Sequence, residues 1–152
     1  MTPNKAFLSI KPNFQPYVKE VLEKLEAKGY KPFVVEGLRT IEQQRQKVKD
    51  GNSQTMNSYH LSGYAADICN IGEMWDKGLV RQFWMDMYDI VQSMTDVKNG
   101  HIRCGLVWDH PERVAVYRNT LEAIKAGKLT QKQGDAKINW FCDAAHIEFR
   151  KD

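Results

Sequence analysis

Two histidines and two aspartates stand at positions where together they could do metal chemistry. His60 and Asp67 share the short run SYHLSGYAADI, and His146 follows Asp143 by three residues in DAAHIEF. A carboxylate such as Asp67 inside an apolar run is costly to bury unless a positive or hydrogen-bonding group meets it. His60, Asp67 and His146 together offer two imidazole nitrogens and one carboxylate oxygen, which form a possible ligand set for a metal ion.

A ligand set of this size is typical of a catalytic zinc ion. Catalytic sites use three protein ligands and keep a fourth position for water, whereas structural sites usually fill all four positions, mostly with cysteine. Zn²⁺ can lower the pKa of its water to about 7 and can polarise a carbonyl group. The attacking water still needs a base, and Asp143 is the nearby carboxylate that has no other assigned role.

Each of these residues also has an ordinary structural interpretation. A single histidine in a strand is most often a hydrogen-bonded core or surface residue, and short motifs produce many false matches. Asp143 could be only a turn former, and Gly63 only a bend. His101 and His110 lie in loop-like sequence without a pattern of acids around them, and we assign them no role. Only the combination of residues favours a metal site.

Two predicted strands position the candidate ligands. YAADICNI reads as a strand, and its small alanines leave room around the Asp67 carboxylate. AHIEF is predicted to be the final strand, in which His146 and Glu148 lie on one face because residues two apart share a face. Asp143 cannot share that face in a straight strand, so we expect it on a bend that leads into the strand.

The remaining elements indicate the fold class. Apolar periodicity and end signals predict helices, while short β-branched and aromatic runs predict strands. The predicted helices cover residues 15–28, 40–49, 79–94 and 111–126, and the further strands cover 33–35 and 101–108. Helices and strands alternate without a regular beat, which favours an α+β fold with a central, mainly antiparallel sheet flanked by helices.

Length and composition limit the possible classes. We expect the 152 residues to form a single domain, residues 1–152, large enough to hold an active-site cleft. The net charge of +3 comes from scattered residues and does not indicate nucleic-acid binding. No signal peptide or membrane-spanning segment is predicted. The three cysteines lack disulfide or ligand spacing and are interpreted as buried apolar groups in a reducing compartment: Cys69, Cys104 and Cys142.

The motifs resemble those of a known family of zinc peptidases. Residues 58–67 fit the pattern S-x-H-x-x-G-x-A-x-D of the M15, or VanY-like, peptidases, which include D-Ala-D-Ala carboxypeptidases and phage L-alanyl-D-glutamate endopeptidases. Asp143 and His146 fit the family's second motif, an acid three residues before a histidine. GLRTIEQQ resembles the family's Gly-x-Arg-Ser/Thr stretch, with Gln44 five residues after Arg39.

The resemblance implies a Hedgehog/DD-peptidase-like fold and a role for each motif residue. His60, Asp67 and His146 would bind Zn²⁺, and Asp143 would be the general base. Arg39 and Ser58 would engage the substrate or the oxyanion. The segment CGLVW is only a partial match to the Trp-Gly-Gly-x-Trp segment often found in such phage enzymes. Ile147 replaces the common aromatic residue after the last ligand.

We therefore interpret the sequence as a zinc peptidase of the peptidoglycan stem, most consistent with a phage endolysin that cleaves between L-alanine and D-glutamate. The alternatives are a D-Ala-D-Ala carboxypeptidase or dipeptidase, and an inactive binding domain that retains the metal. The expected partner is bacterial peptidoglycan, with no nucleic acid and no membrane insertion, and the protein is expected to be a monomer. We expect synthesis in the host cytoplasm and action on the cell wall after release.

Overall fold

The fold is α+β, with helices packed against one antiparallel sheet, as the sequence predicted. The structure is a computed structural model that describes residues 3–94 and 102–150. The helices are α1 Lys5–Ser9, α2 Gln15–Ala27, α3 Ile41–Lys49, α4 Gln82–Ser93, α5 Arg113–Lys125 and α6 Gln131–Asp135. The strands are β1 Pro32–Glu36, β2 Ala65–Asn70, β3 Ile102–Cys104 and β4 His146–Phe149, and short 3₁₀ helices cover Tyr59–Ser62 and Trp75–Lys77.

The sheet brings distant parts of the sequence into register. Its strand order is β1-β2-β4-β3, and each neighbouring pair is antiparallel. Asp67 of β2 lies directly opposite His146 of β4, and Arg103 of β3 lies opposite Glu148 of β4. The two predicted strands of the candidate site are therefore neighbours, and β4 occupies an interior position.

The apolar faces of α2 and α4 form much of the core. The two helices pack against each other, and α2 also contacts β1. Trp84 of α4 is fully buried, and its indole N–H donates to the backbone oxygen of Ile68 in β2 at 3.0 Å. No helix within residues 3–94 and 102–150 combines the length and the apolar character that crossing a bilayer requires.

Most predicted elements are present, but two of them differ in extent. The helix predicted over 79–94 begins at Gln82, because the backbone N–H groups of Leu79 and Val80 donate to the carboxylate of Asp135 at 3.0 and 2.9 Å. Of the strand predicted over 101–108, only β3 is a strand within residues 102–108, and His101 lies outside the described residues. After β3 the chain turns back, and Trp108 takes a positive φ of 53° while its N–H donates to Cys104.

Two short helices were not predicted. Helix α1 is capped by the Asn4 side chain, which accepts from the N–H of Phe7. Helix α6 begins with a capping box formed by Thr130 and Gln133, the same T-x-x-Q signal that predicted α3. Gly134 argued against a helix here, because glycine is unfavourable inside a helix. The structure shows why glycine is present: a Cβ at this position would lie only 2.3 Å from the Ile124 side chain.

Candidate active site

Three side chains that are far apart in sequence meet at one end of the sheet. His60 Nε2 and His146 Nδ1 lie 3.2 and 3.3 Å from the same oxygen, Oδ1 of Asp67. The three side chains are buried, and their candidate ligand atoms all lie within 4.8 Å of one another. Within the described residues, no other group of histidine, cysteine or acidic side chains has this spacing.

Local sequence explains how the first two of these residues are placed. The Ser58 hydroxyl caps the 3₁₀ helix by accepting from the N–H of His60 at 3.2 Å. Gly63 ends that helix with φ of 80°, a left-handed conformation that glycine adopts without steric cost. The chain then enters β2, in which all six residues are buried and which carries Asp67.

The imidazole of His60 is oriented by the backbone. Its Nδ1 lies 2.7 Å from the carbonyl oxygen of Gly37, so Nδ1 carries the proton and Nε2 presents its lone pair toward Asp67. Gly37 itself is closely surrounded, since a Cβ there would lie 2.4 Å from the backbone oxygen of Ala6. The carbonyl that orients His60 is therefore fixed by close packing of α1 against the end of β1.

The imidazole of His146 is oriented by a side chain. Its Nε2 lies 2.8 Å from Oε1 of Glu148. Its Nδ1 is buried and makes no hydrogen bond, although buried polar atoms almost always have a partner. The orphaned nitrogen points to the cluster with His60 and Asp67, and two nitrogens with one carboxylate oxygen suit a metal such as zinc. The residues thus fit a bound metal ion.

The electrostatics of the cluster also favour a cation. Burial would raise the pKa of Asp67, but the positive charge that His60, and also His146, carry when protonated holds that pKa well below its usual range. Burial would lower the pKa of His146, but the adjacent Asp67 carboxylate and the hydrogen bond to Glu148 raise it to about 10. The carboxylates therefore attract positive charge, for which a proton and a metal ion compete.

Asp143 lies beside the cluster, on the bend before β4 as predicted. Its Oδ2 is 3.7 Å from His146 Nδ1, and 29% of its side chain is exposed. Burial and the negative charge of Asp67 raise the pKa of Asp143 to about 6. Gly105 holds the bend, because its carbonyl accepts from the Asp143 N–H at 3.0 Å and a Cβ on Gly105 would lie 2.3 Å from the Asp143 backbone oxygen.

Arg39 is buried against the other face of Asp67. Its Nε donates to Glu36 at 2.7 Å and its Nη1 donates to Gln44, the second residue of the upstream motif. Its Nη2 lies 3.8 Å from Oδ2 of Asp67, which is longer than a hydrogen bond but within ion-pair range. The guanidinium charge is therefore held next to the Asp67 carboxylate.

These residues line a cleft of about 780 Å³. Polar residues of the segment 52–59 line the cleft, and Trp75, Trp108 and Phe141 contribute aromatic surface. Ser58, Arg39 and Asp143 are also part of its wall. The cleft therefore has room for an extended peptide beside the His60, Asp67 and His146 cluster.

Comparison with known proteins assigns the chain to a family. Residues 4–129 match the family described as phage L-alanyl-D-glutamate peptidase. The chain belongs to this family. A curated relative, the L-alanyl-D-glutamate peptidase of Listeria phage A118, is 42% identical over 55 residues, which are 36% of this chain and 20% of the relative.

A solved structure supports the fold of this family member. The L-Ala D-Glu endopeptidase ChiX of Serratia marcescens aligns with a TM-score of 0.56 at 20% identity, over 96% of this chain and 84% of ChiX. At that identity the likeness concerns the fold alone. The matched segment of the Listeria phage relative spans only a fifth of that protein's length.

The structure brings the predicted site residues together around one cleft. All three cysteines are free thiols, and Cys69 and Cys104 are buried as predicted. Cys142 is only partly buried and lines the cleft, so the prediction of burial is wrong for this residue. His110 lies outside the cluster, and His101 lies outside the described residues. Sequence reasoning missed Gly37, Glu148 and Arg103 as groups that orient the histidines. The shared face of His146 and Glu148 was the one available signal.

Proposed function

We propose that this protein is a zinc-dependent peptidoglycan peptidase, acting as a single domain, that cleaves the stem peptide between L-alanine and D-glutamate. The observation that carries the proposal is the buried cluster of His60, Asp67 and His146, with its orphaned Nδ1, in a chain of the phage L-alanyl-D-glutamate peptidase family. Family membership indicates the bond, and the cluster indicates the chemistry.

His60 Nε2, Asp67 Oδ1 and His146 Nδ1 are the atoms that we propose hold the zinc ion. Zinc, when bound, supplies a Lewis acid that polarises the scissile carbonyl and makes water a better nucleophile at neutral pH. Both histidines must be neutral to bind it, and each has its other ring nitrogen occupied, by Gly37 or by Glu148. The protein therefore provides correctly oriented lone pairs for the metal.

Asp143 is proposed to be the general base. Its partly exposed carboxylate faces the cleft next to the cluster, where it can accept a proton from the attacking water and return that proton to the leaving amine. A base is most effective when its pKa lies near the working pH, and the pKa of about 6 for Asp143 is closer to neutrality than that of an ordinary aspartate.

Arg39 and Ser58 are proposed to contact the substrate. Both residues line the cleft. Nε and Nη1 of Arg39 donate to Glu36 and Gln44, whereas Nη2 lies 3.8 Å from Asp67. Nη2 could therefore also donate to a substrate oxygen. Each residue also has a structural duty, because Arg39 holds Asp67 and Ser58 caps the helix that carries His60.

The proposed partner is bacterial peptidoglycan, with the protein acting as a monomer and binding no nucleic acid. The net charge of +3 suits contact with an anionic cell wall. Synthesis in the host cytoplasm, followed by action on the wall after release, is the setting that we propose for a phage enzyme of this kind.

Analysis of the cleavage products tests the proposed bond. Purified peptidoglycan is incubated with the zinc-loaded protein, and new amino termini and released amino acids are identified. We expect new amino-terminal glutamate, and we expect none with the His146→Ala protein as control. Release of free D-alanine without new glutamate termini would instead establish a carboxypeptidase, and the absence of any product would support a binding domain.

A further inference from the structure

We infer that Glu148, held in place by Arg103, is a positioning residue that selects the metal-binding tautomer of His146. The inference rests on the proposed function, because it concerns how the chain prepares a nitrogen for zinc. Neither Glu148 nor Arg103 belongs to the motifs that predicted the site.

The contact between Glu148 and His146 determines which ring nitrogen carries the proton. Glu148 is only 3% exposed, and its Oε1 lies 2.8 Å from His146 Nε2. An ionised carboxylate can only accept, so Nε2 must donate its proton. In a neutral imidazole, Nδ1 is then left with a free lone pair, and this nitrogen faces Oδ1 of Asp67 at 3.3 Å. Glu148 therefore selects the tautomer that can bind a metal through Nδ1.

Glu148 is not itself part of the ligand cluster. It contacts the ring on the side opposite Nδ1, while Asp67 and Asp143 both approach Nδ1. The geometry is that of a carboxylate that supports a metal-binding histidine from behind, an arrangement that fixes the ring and raises its affinity for metal.

Arg103 fixes the carboxylate that performs this task. Its Nε and Nη2 donate to Oε2 of Glu148 at 3.1 and 2.8 Å, and its Nη1 donates to Asp109 at 2.7 Å. The guanidinium also lies 5.0 Å from the centre of the Trp108 ring. Oε2 is thus occupied by Arg103, and Oε1 is directed to His146. One oxygen of the Glu148 carboxylate therefore accepts from Arg103 and the other accepts from His146.

This division predicts an unusual effect of an isosteric substitution. In Glu148→Gln the amide has one accepting oxygen and one donating NH₂ group. Arg103 has only donors, so it draws the amide oxygen to itself and turns the NH₂ group toward His146. Nε2 must then accept, the proton moves to Nδ1, and the metal-binding lone pair is lost. Removing Arg103 as well frees the amide oxygen to accept from Nε2 again.

Zinc dissociation constants from chelator competition test this reasoning. The proteins are the wild type, Glu148→Gln, Arg103→Met and the double variant. We expect Glu148→Gln to bind zinc roughly 10- to 100-fold more weakly than the wild type. We expect Arg103→Met to fall between them and the double variant to bind more tightly than Glu148→Gln. Asp89→Asn removes an exposed carboxylate paired with Arg118 outside the cleft, and it should leave zinc affinity unchanged.

Several outcomes would overturn the inference. One is wild-type affinity in Glu148→Gln, and another is a double variant weaker than Glu148→Gln, which would indicate a merely structural ion pair. Nitrogen-15 NMR of the zinc-loaded wild type should show the His146 proton on Nε2, and a proton on Nδ1 would contradict the assignment. If Glu148→Gln does not fold, Glu148→Asp replaces it, because the shorter side chain withdraws the carboxylate and should also weaken binding. Failure of the wild type to bind zinc would instead refute the proposed function.

Discussion

The two histidines of the site are held by different kinds of acceptor. His60 is oriented by the backbone carbonyl of Gly37, whereas His146 is oriented by the carboxylate of Glu148, which Arg103 fixes in turn. No substitution at Gly37 removes its carbonyl group, so this hydrogen bond to His60 can be weakened only by moving the backbone. The His146 side depends on side chains that single mutations can delete. The two histidines that we propose as metal ligands therefore differ in how their orientation responds to mutation.

The two sides also differ in what they bring to the reaction. The His146 side carries Asp143, the proposed base, on the bend that begins β4. The His60 side carries Ser58 in the turn before the histidine, and Arg39 behind the shared ligand Asp67. In the proposed mechanism, metal binding requires both histidines, whereas proton transfer requires only Asp143, which lies next to His146.

The largest loss of activity is expected when any one of the three proposed metal ligands is replaced. His60→Ala, Asp67→Ala and His146→Ala should each lose the single zinc ion per chain and all activity, because each removes one of three protein ligands. Metal analysis of the purified proteins and a peptidoglycan lysis assay measure both effects. Cys69→Ala and Cys142→Ala are the controls and should keep zinc. Zinc lost from a cysteine variant, or full activity in a metal-free wild type, would refute this ligand set.

The second effect separates proton transfer from metal binding. Asp143→Asn keeps the size of the side chain but removes its charge, so the rate should fall by roughly 100- to 10,000-fold while zinc remains bound. Turnover and zinc content are measured on the same preparation, with Asp89→Asn as a surface control. Turnover near the wild-type rate would exclude the base role, and loss of zinc would make Asp143 a ligand.

The third effect tests the backbone support of His60. Gly37→Ala places a Cβ 2.4 Å from both the Ala6 oxygen and the Ser9 hydroxyl oxygen, so the chain must shift. Overpacking of this kind costs about 1–3 kcal/mol in the free energy of unfolding. Moving the carbonyl should also weaken zinc binding, which denaturant unfolding and chelator competition measure separately.

Gly72→Ala is the matched control for that experiment. Gly72 has open space around it but a φ of 84°, so alanine there should cost about 1 kcal/mol through backbone strain alone. We expect both variants to lose stability and only Gly37→Ala to lose zinc affinity. Equal zinc affinity in the two variants would show that the Gly37 carbonyl does not support the site.

The smallest effect concerns Ser58. Ser58→Ala removes the cap on the helix that carries His60 and should cost about 1 kcal/mol of stability, whereas Ser58→Asn should keep most of the cap. If the hydroxyl also contacts substrate, KM should rise in both variants. Thermal unfolding and steady-state kinetics separate the two roles. An unchanged KM in both proteins would limit Ser58 to capping.

Local signals in the sequence were enough to predict most of the fold. The capping box of Thr40 and Gln43 is present with both hydrogen bonds, and Gly29 follows the end of α2 as expected. Element ends were harder to predict where long-range contacts decide them, as when Asp135 delays the start of α4. Asp135 lies 56 and 55 positions from Leu79 and Val80, so local periodicity cannot indicate these contacts.

In the site, too, some residues could be predicted from the sequence, whereas others depend on long-range contacts. The proximity of His60, Asp67 and His146 could be predicted, because a metal site of the proposed kind needs particular side-chain types. Gly37 could not be predicted, because any residue has a carbonyl and only the fold directs this one at His60. Arg103 could not be paired with Glu148 without knowing that β3 lies beside β4.

The interior position of β4 affects how the protein is assembled. Although β4 comes after the other three strands in the chain, it lies between β2 and β3. During synthesis, β2 and β3 are therefore made before β4, the strand that lies between them. Until β4 is made, Asp67 has only His60 beside it, because His146 belongs to β4. Pairing β2 with β4 closes a long loop, and loop closure costs conformational entropy. A metal ion bound by residues of both strands would offset part of this cost. The proposed zinc ion would hold β2 to β4 in the finished sheet, and a nascent chain that ends before His146 lacks one of the three proposed ligands.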